Sequence, residues 1–156
     1  MGGATVPALR DAVEQCGVVQ FLRDRIAQPT TDAEFDRLHR DWSKSIIERL
    51  SARGLREVSY GRAAKLIAIY LKAMVILCSD AGADFVRVIH PPIDSLLLHK
   101  MSKDHEICSP RRHRWRSVRW TQLDESAYFE LVSELREVLR EGEPFWMLER
   151  FWNVDK

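Results

Sequence analysis

The stretch from Arg62 to Cys78 constrains the fold more than any other part of the chain. Leu66, Ile67, Ile69, Tyr70, Leu71, Met74, Val75, Ile76 and Leu77 fall on nearly every side of a helical wheel. A helix that is apolar nearly all round needs other helices about it, so this segment predicts the centre of a bundle. Lys72 interrupts the run, and the run is too short to span a bilayer. No strongly alternating strand pattern occurs elsewhere, breakers are few, and helical spacing recurs. The expected fold is therefore all-α, a single-domain bundle of six to eight helices over residues 1–156. At 156 residues, with 46% apolar and 30% charged side chains, the chain suits one core. That composition excludes disorder as its main state.

Helix boundaries follow from local chemistry. Pro7–Gln15 and Val18–Ala27 read as two short helices, the second ended by Pro29. Thr31 with Glu34 three residues on forms a capping box. The helix it opens carries Phe35, Leu38, Trp42, Ile46, Ile47 and Leu50 on one face, and Gly54 is placed to stop it. Phe85–Ile89 alternates weakly and reads as a short extended piece. His90-Pro91-Pro92 forces extended backbone, and Ile93–Met101 follows as a compact helix. Ser102–Trp120 reads as a long polar loop. Thr121 or Asp124 caps a further helix running to about Arg140, and Phe145–Trp152 forms a last aromatic turn or helix.

The charge, 24 basic against 23 acidic residues, rules out a uniformly basic nucleic-acid binder. Cys16, Cys78 and Cys108 are too sparse for a disulfide framework and lack metal-ligand spacing. With no signal-peptide pattern at the N-terminus, a cytoplasmic location and no membrane association are expected. No cofactor motif and no metal motif are present. The five histidines have no ligand spacing.

Three segments carry candidate chemistry. Asp94 stands at a helix start just after Pro91-Pro92, where it is either a capping carboxylate or an ionised one aimed into a cleft. Arg62, Lys65 and Lys72 lie on the apolar helix and need partners or a route to solvent. Lys65 or Lys72 facing the pocket of Asp94 is the alternative. Arg111, Arg112, Arg114, Arg116 and Arg119, with Trp115 and Trp120, pack five arginines and two indoles into ten residues without an acid. Such a set suits phosphates and stacked bases. Because Asp124–Glu149 is strongly acidic, the same arginines suit intramolecular pairing equally well.

Gly61-Arg62-Ala63-Ala64-Lys65 before an apolar helix, followed by Ile89-His90-Pro91-Pro92-Ile93-Asp94-Ser95-Leu96-Leu97, resembles the helix-hairpin-helix DNA glycosylase superfamily. There a glycine-containing hairpin opens an apolar helix, and a V-P-V-D-T-H-like segment places the catalytic Asp at a following helix start. The pattern is also similar to that of a group of uncharacterised bacterial proteins with S-[FY]-G-x-A-x-K and H-x-P-I-D segments. The likeness covers about Ser59 to Met101. It departs from the family at Arg56–Gly61, where one glycine replaces the usual two. It departs again at Ala63, where bifunctional members have their lysine, and in lacking iron–sulfur cysteines.

The resemblance implies a monofunctional reaction on DNA. Asp94, with Lys65 nearby, would stabilise the oxocarbenium charge and help activate water. Arg62, Lys72 and the arginine-rich segment would hold the DNA backbone, with Trp115 or Trp120 stacking. The alternative expectation is a non-catalytic helical interaction module whose partner surface is the aromatic C-terminal end, Phe145 to Trp152.

Overall fold

A computed structural model describes residues 5–25, 30–77 and 83–153. Eight α-helices occur among them: α1 (Val6–Glu14), α2 (Val18–Arg25), α3 (Asp32–Ala52), α4 (Tyr60–Leu71), α5 (Ala83–Val88), α6 (Ser95–Met101), α7 (Ser109–Ser117) and α8 (Glu125–Arg136). A π-helical turn, Lys72–Ile76, extends α4, and 3₁₀ segments cover Trp120–Gln122 and Phe145–Asn153. No strand occurs among the described residues, so the all-α expectation holds. Among these residues no helix is long and apolar enough to cross a membrane.

The caps of α3, α6 and α8 are those the sequence implies. Thr31 and Glu34 close the box at the start of α3. At its end the Leu55 N–H bonds back to the Leu50 carbonyl at 3.1 Å and Gly54 to Ser51 at 2.9 Å. Gly54 takes φ +80°, the left-handed conformation this Schellman ending requires. Ser59 caps α4, Asp94 caps α6, and Asp124 rather than Thr121 caps α8.

Two expectations are corrected. Phe85–Ile89 is not extended: α5 covers 83–88, because Phe85 and Val88, one turn apart, both turn into the core. Phe85 packs its ring on Phe21 at 5.2 Å and Phe35 at 5.9 Å. Nor is Ser102–Trp120 one loop, since α7 lies inside it with Pro110 in its first turn. Arginine is a good helix former, and α7 buries only Trp115, so it carries no apolar stripe that periodicity could reveal. Helix α8 also ends at Arg136, short of Arg140. Cys78, Gly82, Ala27 and Pro29 lie outside the described residues.

Two buried clusters flank α4. Ala63, Ile67, Leu71 and Val75 join Phe35, Trp42, Ile46, Leu50 and Phe85 on one side. Tyr60 and Ala64 join Leu97, Leu98, Met101, Trp115, Leu131, Leu135 and the 3₁₀ residues Phe145, Leu148 and Phe151 on the other. The expectation of a central helix is met, but not all round. Ile69, Met74 and Leu77 are 50%, 50% and 68% exposed along the outward side of α4 and its π turn.

Candidate functional site

The two segments that carry the glycosylase-like pattern do meet. The Lys65 ammonium donates to Asp94 Oδ2 at 2.9 Å and lies 4.6 Å above the Trp120 ring. Lys72, one of the two lysines considered for that position, points elsewhere and pairs with Glu149. Asp94 Oδ1 accepts from the Leu97 N–H at 2.9 Å, so the carboxylate is a helix cap with both oxygens engaged. The pair is partly buried, with Lys65 28% and Asp94 15% exposed. Neither residue lines any of the five principal clefts of the described surface.

The start of α4 is also filled from within. The Gly61 N–H donates to the Leu123 carbonyl at 3.1 Å, and Ser59 Oγ takes the Arg62 N–H. A Cβ on Gly61 would stand 2.0 Å from the Trp120 carbonyl oxygen, so only glycine lets the 3₁₀ turn come this close. In a hairpin that grips a phosphate that amide would face solvent; here it holds the Trp120–Gln122 turn. Arg62 itself donates to the Glu57 carbonyl at 2.6 Å. Glu57 is the one non-glycine described residue with positive φ, +60°.

The arginine-rich segment spends much of its charge on the chain itself. Arg111 pairs with Glu137, and Arg114 with both Glu130 and Glu134, all three acids on or just after α8. Trp115 is 1% exposed and its Nε1–H donates to Glu134 at 2.9 Å, so it offers no face to a base. Arg116 donates to the Ser102 hydroxyl and carbonyl. Arg112 lies 3.4 Å from His105. Arg119 is exposed, and Trp120 is half-buried beneath Lys65. Arg111 and Arg114 therefore pair with acids on or just after α8, while Arg112, Arg116 and Arg119 do not. In the aromatic C-terminal end Phe145, Leu148 and Phe151 turn inward at 8% exposure or less, while Trp146 and Trp152 are partly exposed.

The largest polar arrangement was not apparent from the sequence. His39 and His90 are buried with ring centroids 4.7 Å apart. His90 Nε2 lies 2.9 Å from Asp36 Oδ1, and its Nδ1 lies 3.0 Å from the Tyr128 hydroxyl. Asp36 also receives both terminal nitrogens of Arg136, at 2.7 and 2.8 Å. With Asp36 ionised, neutral His90 donates from Nε2 and accepts from Tyr128 at Nδ1. His39 Nδ1 lies 3.0 Å from the Tyr60 hydroxyl, while its Nε2 is buried without a partner.

The electrostatics follow from burial and pairing. Burial pushes the Asp36 carboxyl up, yet hydrogen bonds from Arg136 and His90 outweigh it and hold it well below the carboxylate range. Burial drives His39 far down, and His90 down in spite of Asp36. It drives Tyr60 and Tyr128 up, so both phenols stay protonated. Aromatic rings cover its imidazole side: Phe145 packs edge-on to His90 at 5.2 Å, and Phe129, 3.7 Å under Arg40, packs against His39 at 6.0 Å. Only Arg136 reaches a cleft, of about 310 Å³, shared with Asp32, Arg87, Glu143 and Phe145. Asp36, His39 and Ser43 sit beside Phe35, Trp42 and Ile46 on one helix face, which is the pattern that betrays a polar row inside a core.

Among the described residues no group of His, Cys, Asp or Glu is arranged to hold a metal ion. A cleft of about 790 Å³ lies between α1–α2 and α4, lined by Glu14, Val19, Leu22, Arg23, Tyr70 and Met74 among others. No protein-family model, curated protein or solved structure matches this chain.

Proposed function

We propose that this chain is a non-catalytic helical module that binds an amphipathic helical segment of a protein partner. The observation that carries this reading is Met74, 50% exposed and lining the 790 Å³ cleft, on a segment where Ile69 and Leu77 are exposed as well. Exposed apolar residues grouped in this way mark docking faces. The cleft lining includes Val19, Leu22 and Tyr70 together with the opposite charges Glu14 and Arg23. An amphipathic helix with a base near Glu14 and an acid near Arg23 matches that lining. The engagement of Asp94, and of Arg111 and Arg114, within the chain is consistent with the reading.

The test is selection of amphipathic helical peptides against the full chain, followed by hydrogen-exchange footprinting. Bound peptides should protect residues 66–77 and lose about tenfold or more in affinity on Met74→Glu. Peptides that protect another surface, or that ignore Met74→Glu, refute the docking face.

A DNA-directed reading is favoured by one observation, the meeting of Lys65, Asp94 and Trp120 in a partly exposed cluster. It requires DNA affinity that falls with salt. Base excision from damaged duplexes that disappears in Asp94→Asn would overturn the non-catalytic reading outright.

A further inference from the structure

The segment Phe145–Asn153 is an unusually long 3₁₀ helix. Three residues per turn put Phe145, Leu148 and Phe151 in one line and Trp146, Glu149 and Trp152 in the next. The first line is buried in the cluster that contains Leu97, Leu98 and Met101 of α6. The second line is poorly satisfied. The indole N–H groups of Trp146 and Trp152 and one oxygen of Glu149 are buried without partners. The other Glu149 oxygen takes the Lys72 ammonium from the π turn, and that ammonium lies 5.2 Å over the Trp152 ring.

We infer that residues 145–153 form a displaceable strap, and that the groove beneath it accepts a partner segment with the strap's apolar spacing and carboxylate but without its two indoles. The strap itself shows what the groove takes: three apolar side chains at i, i+3 and i+6, with an acid aimed at Lys72. It is an imperfect occupant, because docking strips water from two donors and an acceptor that gain nothing in return. Lifted, the strap regains those hydrogen bonds from water, and Lys72 remains as a cation at the groove's edge. Gly142 at φ +75° and Pro144 precede the strap. A turn of this kind lets the strap leave without unwinding α8.

This proposal shares with the preceding section the premise of an interaction module but concerns a different face. Hydrogen exchange on the full chain is the first measurement. Amides of 145–153 should exchange about tenfold or more faster than those of α8, the mark of a local opening. The double variant Trp146→Phe, Trp152→Phe, which removes both unpaired donors, should slow that exchange. The second measurement titrates the full chain with a peptide of residues 143–153 carrying the same two replacements. That peptide has no tryptophan, so a saturable red shift of emission reports release of the chain's own strap. Glu149→Gln in the peptide should weaken it about tenfold. Strap amides as protected as α8, faster exchange in the double variant, or no red shift would each overturn the inference. Any of these results leaves the docking face on α4 untouched.

Discussion

Lowering the pH from 7.5 to 5 tests the buried imidazole pair directly. His39 is 0% and His90 2% exposed, and burial holds both below the value of 6.5 that a histidine has in the unfolded chain. A histidine kept neutral by the fold stabilises it above the unfolded pKa. That stability is lost as pH falls below 6.5, because the unfolded chain then takes up protons that the native state refuses. Each such group costs about 1.4 kcal/mol per pH unit, so His39 alone removes roughly 2 kcal/mol between pH 6.5 and 5. His90, which burial also pushes down against the pull of Asp36, adds to the loss in the same direction. Asp36 leaves this window unaffected. Its depressed carboxyl supports the fold above 3.8 and withdraws that support only at lower pH. The assay is urea unfolding at half-unit pH steps for the native chain and for His39→Phe. The native midpoint should fall steeply below pH 6.5, and the variant, whatever its starting stability, should show a shallower slope. A native midpoint flat from 7.5 to 5, or equal slopes in the two proteins, refutes the assignment of neutral buried imidazoles.

Arg136→Met leaves the Asp36 carboxylate, 14% exposed, facing burial without its cation, at a cost of about 3–5 kcal/mol. Adding Asp36→Leu should recover much of that in urea melts, and a double variant no better than the single one would show that the pair is not the cause. Gly61→Ala drives a Cβ to within 2.0 Å of a backbone oxygen, whereas Gly54→Ala meets nothing within 4 Å. Thermal melts should therefore show about 1 kcal/mol for Gly54→Ala from φ alone and about 1–3 kcal/mol or more for Gly61→Ala, and the reverse order would contradict the close approach to Trp120. Asp94→Ala removes both the cap and the partner of Lys65, at a cost of about 0.5–2 kcal/mol, while Asp94→Asn retains a capping oxygen. Equal melting temperatures for these two variants would show that the cap contributes nothing.

What could be read in advance depended on whether the deciding interaction was local. Thr31 and Glu34 lie three residues apart, and Gly54 follows directly on the apolar row of α3, so both ends of that helix were written in a short window. The convergence of Lys65 with Asp94 was legible as one of several alternatives, because each residue sits at a marked position on its own helix. Helix α7 was not legible, since it buries only Trp115 and so shows no apolar periodicity, and its partners on and after α8 are 16 to 26 residues away. The His39–His90 pair was missed for the same reason. A search for ligand spacing looks along the chain, while these rings meet through the packing of α3 against the loop before α6. The outward side of α4 escaped notice because apolar residues at every helical position do not say which of them a neighbour will cover.

The fourth helix serves both buried clusters, with Ala63, Ile67, Leu71 and Val75 on one side and Tyr60 and Ala64 on the other. Neither cluster owns a complete wall. A chain cut at the exposed His105–Glu106 turn would give one fragment that keeps the whole first cluster together with α6, and another that holds the rest of the second cluster with no α4 to pack on. The second fragment should remain largely unstructured alone and gain helicity only when mixed with the first, so that circular dichroism of the mixture exceeds the sum of its parts.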